Sequence, residues 1–147
     1  MRPVALAVLC WVAALVLVGC NSDPSGVGKT VPVHGKVTVD GKPLTTGTVA
    51  FQPDKRKGNL IPHVPGAEID AEGNYKLITA TKPGAPLGWY KVVVVSTEPP
   101  NPQDPFASRK SHIDMKYGTA EKTVLEIEVV EQPEPGAYDL SLKSPGR

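Results

Sequence analysis

Seven short segments of this chain alternate apolar and polar residues with a period of two, and each is bounded by glycine, proline or acidic turn residues. That pattern suits strands with one buried and one wet face, and it leaves no stretch with the spacing of an amphipathic helix between them. Val33, Gly35, Val37 and Val39 alternate with His34, Lys36 and Thr38, which points His34 outward. Asp40 and Gly41 follow; both tolerate positive φ, so they predict a two-residue hairpin. Residues 47–52 carry Val49 and Phe51 on one face, and Pro53 closes that strand ahead of a basic loop over 54–65. Residues 67–70 and 75–79 flank the turn Ala71-Glu72-Gly73-Asn74 and predict a second hairpin, with Ala67, Ile69, Tyr75 and Leu77 in the core. The run 89–95 is the most continuously β-branched in the chain and predicts a central strand covered on both faces. Further on, Leu125, Ile127 and Val129 oppose Glu126 and Glu128, and Tyr138, Leu140 and Leu142 oppose Asp139, Ser141 and Lys143.

These segments predict an all-β domain over residues 31–147, a seven-stranded antiparallel Greek-key sandwich, with a small closed barrel as the rival arrangement. The 16 prolines and 14 glycines, against 5% aromatic residues, agree with a turn-rich chain, and 40% hydrophobic content supplies a core. Val94→Asp or Ile127→Asp is expected to prevent folding; a cooperative melt of either would count against this strand layout.

The first 30 residues are of a different kind. Met1 and Arg2 precede an uncharged apolar run over 4–18, which has the form of a signal-peptide h-region. It falls short of the ~20 residues that a permanent membrane span needs. Leu17-Val18-Gly19-Cys20 is similar to the bacterial lipobox, in which the cysteine sulfur carries a diacylglycerol before cleavage. That resemblance implies a signal helix over 1–19, removed on export, and lipidation at Cys20. The two acyl chains of a thioether-linked diacylglycerol bury enough methylenes for stable anchoring. Asn21 stands where some Gram-negative bacteria place a retention aspartate, so the resemblance leans toward the outer membrane. The expected location is the cell envelope, on the non-cytoplasmic side of a membrane. Residues 20–30 read as the lipidated cysteine and a flexible tether. Gly28-Lys29-Thr30 looks like the end of a phosphate-binding loop, but Asp23 occupies the position of that motif's first glycine.

Removing residues 1–19 from the 147 leaves 128, enough for one domain. The 16 basic and 15 acidic residues become balanced once Arg2 is lost, so nothing points to nucleic acid. Cys10 goes with the signal and Cys20 to lipid, leaving no thiol for a disulfide or a zinc site. There is no Gly-x-Ser-x-Gly elbow, and His34, His63 and His112 are scattered, so the sequence implies no catalytic residue, no metal and no cofactor. Asp40, Asp70 and Glu72 lack calcium-loop spacing and read as turn residues. Lys55, Arg56 and Lys57 read as solvated charges able to touch anionic lipid or cell-wall polymer.

The order Val33-His34-Gly35-Lys36-Val37-Thr38-Val39-Asp40-Gly41-Lys42-Pro43-Leu44, then Gly47-Thr48-Val49-Ala50-Phe51, Ile69-Asp70-Ala71-Glu72-Gly73-Asn74-Tyr75 and Pro86-Leu87-Gly88-Trp89-Tyr90-Lys91-Val92 resembles bacterial lipoproteins carrying a transthyretin-like, carboxypeptidase regulatory-like domain. That resemblance implies a prealbumin-like sandwich with a non-enzymatic accessory role, and it brings no catalytic residues. It departs from the pattern in a long proline-rich loop over 98–122. The expected function is a membrane-anchored, non-catalytic binding or structural module that offers the 53–66 and 98–122 loops to an envelope protein or glycan. Candidate contacts are Arg109, Lys110 and His112 in the long loop, and Trp89, which points outward because Tyr90 takes the inward parity. The alternatives are a carbohydrate-binding sandwich and, less well matched, a transthyretin-like cyclic-urea hydrolase. The hydrolase requires a Tyr-Arg-Gly-Ser-like tail, whereas this chain ends Ser144-Pro145-Gly146-Arg147. Oligomeric state has no signature in the sequence.

Overall fold

A computed structural model describes residue 23 and residues 25–146; the expected signal segment 1–19, Cys20 and Asn21 lie outside the described residues. The body is all-β, with two short 3-10 turns, and is built from two open sheets of four and six strands.

The first sheet centres on β1 (His34–Val39). The Asp40-Gly41 turn, with φ of 49° and 83°, folds it back onto β2 (Lys42–Pro43) as the hairpin signal requires. Ahead of that turn, β5 (Asn74–Lys76) pairs with the opening half of β1 on the same edge. On the other edge lies β10 (Leu140–Leu142), in register Val37 to Leu140, and this pairing is parallel. The wholly antiparallel expectation is corrected here, because the chain re-enters the first sheet from the second and runs alongside β1.

The second sheet follows the order β7 (Lys82–Pro83), β6 (Ile78–Thr79), β4 (Gly66–Glu68), β3 (Thr48–Pro53), β8 (Gly88–Val95), β9 (Glu126–Val129). Its backbone is the six-residue antiparallel register of β3 on β8, from Thr48 opposite Val95 to Pro53 opposite Tyr90.

Ten short strands thus replace the seven expected. Two are the brief β2 and β7, and one arises because 75–79 divides at Leu77. The predicted second hairpin is accordingly only half formed. Its turn closes, with Asp70 N–H donating to Asn74 O (3.0 Å) and the Asp70 carboxylate accepting from the N–H groups of Glu72 and Asn74. Tyr75 then joins the first sheet beside β1, while Ile78 pairs with Gly66 in the second. Both sides of the corner stay bonded, since Leu77 N–H donates to Val33 O and Leu77 O accepts from Gly84 N–H.

The two sheets meet in one core. Val37, Tyr75, Leu140 and Leu142 come from the first, and Val49, Phe51, Tyr90, Val92, Val94 and Val129 from the second. Phe51 lies 6.3 Å from the Tyr75 ring and 5.7 Å from that of Tyr90, both tilted by 50°, an arrangement favoured by ring quadrupoles. The buried Tyr75 hydroxyl donates to Tyr138 O at 2.6 Å, and burial pushes its pKa well above the usual phenol range. Tyr138 O passes so close to Gly35 that an added Cβ would stand 2.3 Å from it, so glycine is obligatory there. The β8 strand is central in hydrogen bonding but covered on one face only: Tyr90, Val92 and Val94 are buried, whereas Val95 is exposed. Among the described residues no further sheet covers that outer face. Ile127 is half-buried, so Asp there should be milder than at the fully buried Val94.

Candidate functional site

The long β8 strand sets the geometry of everything around it. Its eight residues span roughly 25 Å. At its start, Gly88 faces Val129, and at its end Val95 faces Thr48. These two ends define two poles with different chemistry.

At the first pole, the chain around Asp23 packs onto the body. The Asp23 carboxylate accepts from Lys82 Nζ (2.5 Å), from the Ser25 hydroxyl (2.6 Å) and from Gly28 N–H (2.9 Å). The Lys82 ammonium foremost, then Ser25, holds that carboxyl well below the usual range. Gly26 and Gly28, with φ of 65° and 75°, let the segment curl, and Val27 is buried beneath it. Val31 bridges Ala85 through reciprocal bonds of 2.9 and 3.0 Å, and Lys29 pairs with Glu131 at 2.5 Å. Within the segment expected to be a flexible tether over 20–30, the described residues Asp23 and 25–30 are docked on the body. Its one apolar side chain, Val27, has a place in the body to go.

The basic 53–66 loop belongs to this same pole and is structured. Asp54 accepts from Arg56 N–H at the head of the 3-10 turn Lys55–Lys57, Gly58 at φ 83° closes it, and buried Asn59 donates to Trp89 O at 2.9 Å. Trp89 is half-buried, and Lys57 Nζ sits 3.7 Å from its ring centroid. Glu126 gathers Lys57 at 2.6 Å and also Lys91, and these two ammonium groups hold its carboxyl down to about 2. So Trp89 sits apart from the other three candidate residues, with one ring face covered by a cation.

At the second pole, the strand continues past Val95 into an arm. Thr97 bridges Ser111, Glu98 N–H donates to Lys110 O, and His112 N–H donates to Ser96 O, each bond at 2.9 Å. Residues 99–110 beyond this neck are all exposed, and the hydrogen bonds of 99–109 are internal turns between Asn101, Asp104 and their neighbours. At the arm's tip Phe106 is 98% exposed. Arg109 and Lys110 lie at its base, with the exposed His112 just inside the neck. Three of the four candidate residues are thus brought together, and Phe106 was missed. Its sequence signal was an aromatic standing alone among Pro, Asp and Ser, with no alternation to place it in a core.

The rest of the 98–122 loop returns to the body, contrary to a single long loop. Ile113 and Tyr117 are buried, Asp114 N–H donates to Lys143 O, and Asp114 caps the 3-10 turn Met115–Gly118 by accepting from Lys116 N–H. Between this returning segment and β8 lies a groove of about 320 Å³, floored by Val95, Ile113 and Met115 and rimmed by Arg109, Asp114 and Lys122. Beside it, His112 Nδ1 lies 2.9 Å from Ser96 Oγ. Ser96 is buried and its hydroxyl donates to Thr46 O at 2.7 Å, so its single proton is committed and Nδ1–H must be the donor to Oγ. That polarity fixes the neck of the arm and is the reverse of a base activating a nucleophile. Among the described residues, no three His, Cys, Asp or Glu side chains converge on a common point.

This chain matches no protein-family model, no curated protein and no solved structure.

Proposed function

We propose that this chain is an exported lipoprotein of the cell envelope, acylated at Cys20, whose body is a Greek-key sandwich of the prealbumin kind serving as a non-catalytic spacer. It presents the arm over 99–110 to an envelope protein. One observation carries this reading: the docked segment that begins at Asp23, three residues after Cys20, pairs Lys29 with Glu131, two residues past the Val129 that faces Gly88 at the start of β8, and the arm leaves the other end. A lipid at Cys20 would then hold the arm roughly 25 Å out from the bilayer, where an exposed aromatic flanked by Arg109 and Lys110 makes a suitable contact for an acidic, partly apolar surface. The glycan alternative is the weaker one, because the ring best suited to stacking on sugar, Trp89, has a face occupied by Lys57 and sits at the opposite end from the arm.

Two measurements test this. Mass spectrometry of the mature protein from membranes should find an N-terminal diacylated Cys20; an intact Gly19–Cys20 bond or an unmodified thiol would sink the anchor. In-cell crosslinking from the full chain and from one lacking residues 99–111 should differ in the neighbours captured, and identical neighbours would remove the arm's role.

A further inference from the structure

The pole bearing Asp23 has an apolar rim that the core does not account for. Leu60 is 75% exposed, and Val64 and Leu87 are also well exposed, although all three are aliphatic. They flank the docked N-terminal segment. Leu60 and Val64 bracket His63, whose Nε2 stands 3.9 Å from where a Cβ on Gly26 would lie. Leu87 precedes Gly88, where an added Cβ would come within 3.1 Å of the Asn59 side chain, so the 59–65 and 84–88 loops lie against each other. Lys55 and Arg56, in the 3-10 turn of the same 53–66 loop that carries Leu60 and Val64, are exposed and form no ion pair among the described residues.

From these observations we infer that Leu60, Val64 and Leu87 rest in the interface of an anionic bilayer, with Lys55 and Arg56 facing its headgroups. The domain would then sit on the membrane as a seated body, where a loose tether would let it swing. The inference rests on acylation of Cys20. The occupant follows from chain length: only three residue steps separate Cys20 from Asp23, and fully extended they reach at most about 10 Å. Because Asp23 is tied to Lys82 and Val27 is buried, no further slack is available, and the nearest surface this rim can meet is the one holding the acyl chains. Exposed aliphatic side chains that share a loop with free cations are suited to such an interface, where stems and heads partition between lipid and water.

The test uses the full-length lipidated protein in phosphatidylethanolamine vesicles containing a minority of phosphatidylglycerol. Leu60→Cys and Phe106→Cys each introduce one labelling site at an exposed position, since lipidation consumes Cys20 and Cys10 is cleaved away. An environment-sensitive fluorophore at position 60 should be quenched several-fold more by spin-labelled lipid than by aqueous iodide, and at position 106 the order should reverse. Equal access of iodide to both positions on floated vesicles would overturn the seating while leaving the anchor intact. Protein that fails to float, or that carries an unmodified Cys20, would overturn both.

Discussion

Residues 23–31 and residues 99–110 are similar on paper: short, polar, and broken by glycine or proline. In the folded chain they behave oppositely. The first segment buries Val27, bridges Ala85 through Val31 and locks Lys82 with Asp23, while the second has no buried residue and leaves Phe106 in solvent. Composition therefore marks where regular structure stops, and says nothing of whether the irregular chain is held. What decides is one apolar side chain with a vacancy to fill, together with a few backbone bonds that fix its approach.

The contrast can be broken from either side. The largest effect should come from Gly84→Val. A Cβ there would stand 2.0 Å from Val31 O at a φ of 90°, so the bridge holding the docked segment cannot survive. Strain and overpacking together should cost roughly 4 kcal/mol, read as a lowered thermal midpoint with early proteolysis before residue 31; a wild-type melt would refute the close approach. Next is Val27→Asp, which places a carboxylate in an apolar seat and should cost about 2 to 3 kcal/mol in denaturant titration, with cleavage at 25–30 outpacing cleavage elsewhere.

A smaller effect should follow acidification. The Asp23 carboxyl titrates below its ordinary value of 3.8 in the folded chain, so its contribution is present above that pH and is lost as the pH falls further. Glu126 follows the same sign between its ordinary value of 4.5 and about 2. The protection of the Gly28 amide, whose N–H bonds Asp23, measured against its intrinsic exchange rate at each pH, should fall on acidification below 3.8 in the native protein and show no such dependence in Asp23→Asn. Smallest of all is Phe106→Ala, which should leave stability within about 0.5 kcal/mol of wild type while, on the proposed function, reducing crosslinks from the arm. A clear loss of stability there would mean that the arm packs on the body after all.

The sequence made the inward parity legible almost throughout. Val33, Val37, Val49, Phe51, Tyr90, Val92, Val94, Leu140 and Leu142 are all buried as their alternation implies, because which face a strand residue occupies is a local property. Partner choice is not local. That Tyr75 joins one sheet and Ile78 the other, and that β10 lies parallel to β1, depends on residues far apart in the chain. Parity likewise told which side of β8 Trp89 takes without telling which end of the molecule it serves. Arg109, Lys110 and His112 could be grouped from the sequence because they share one loop. Ile113 and Tyr117 broke that loop in two by finding room in the core, which no spacing pattern announces.

The parallel seam between β1 and β10 joins residues such as Thr38 and Leu140, 102 positions apart. A chain delivered N-terminus first, from a ribosome or through a narrow channel, cannot close that seam until nearly its whole length has emerged. Until then one edge of the opening strand stays unzipped, and closure of so distant a pair is slow. The last strand to arrive therefore acts as the latch of the domain, and its truncation should leave the opening strand without its partner.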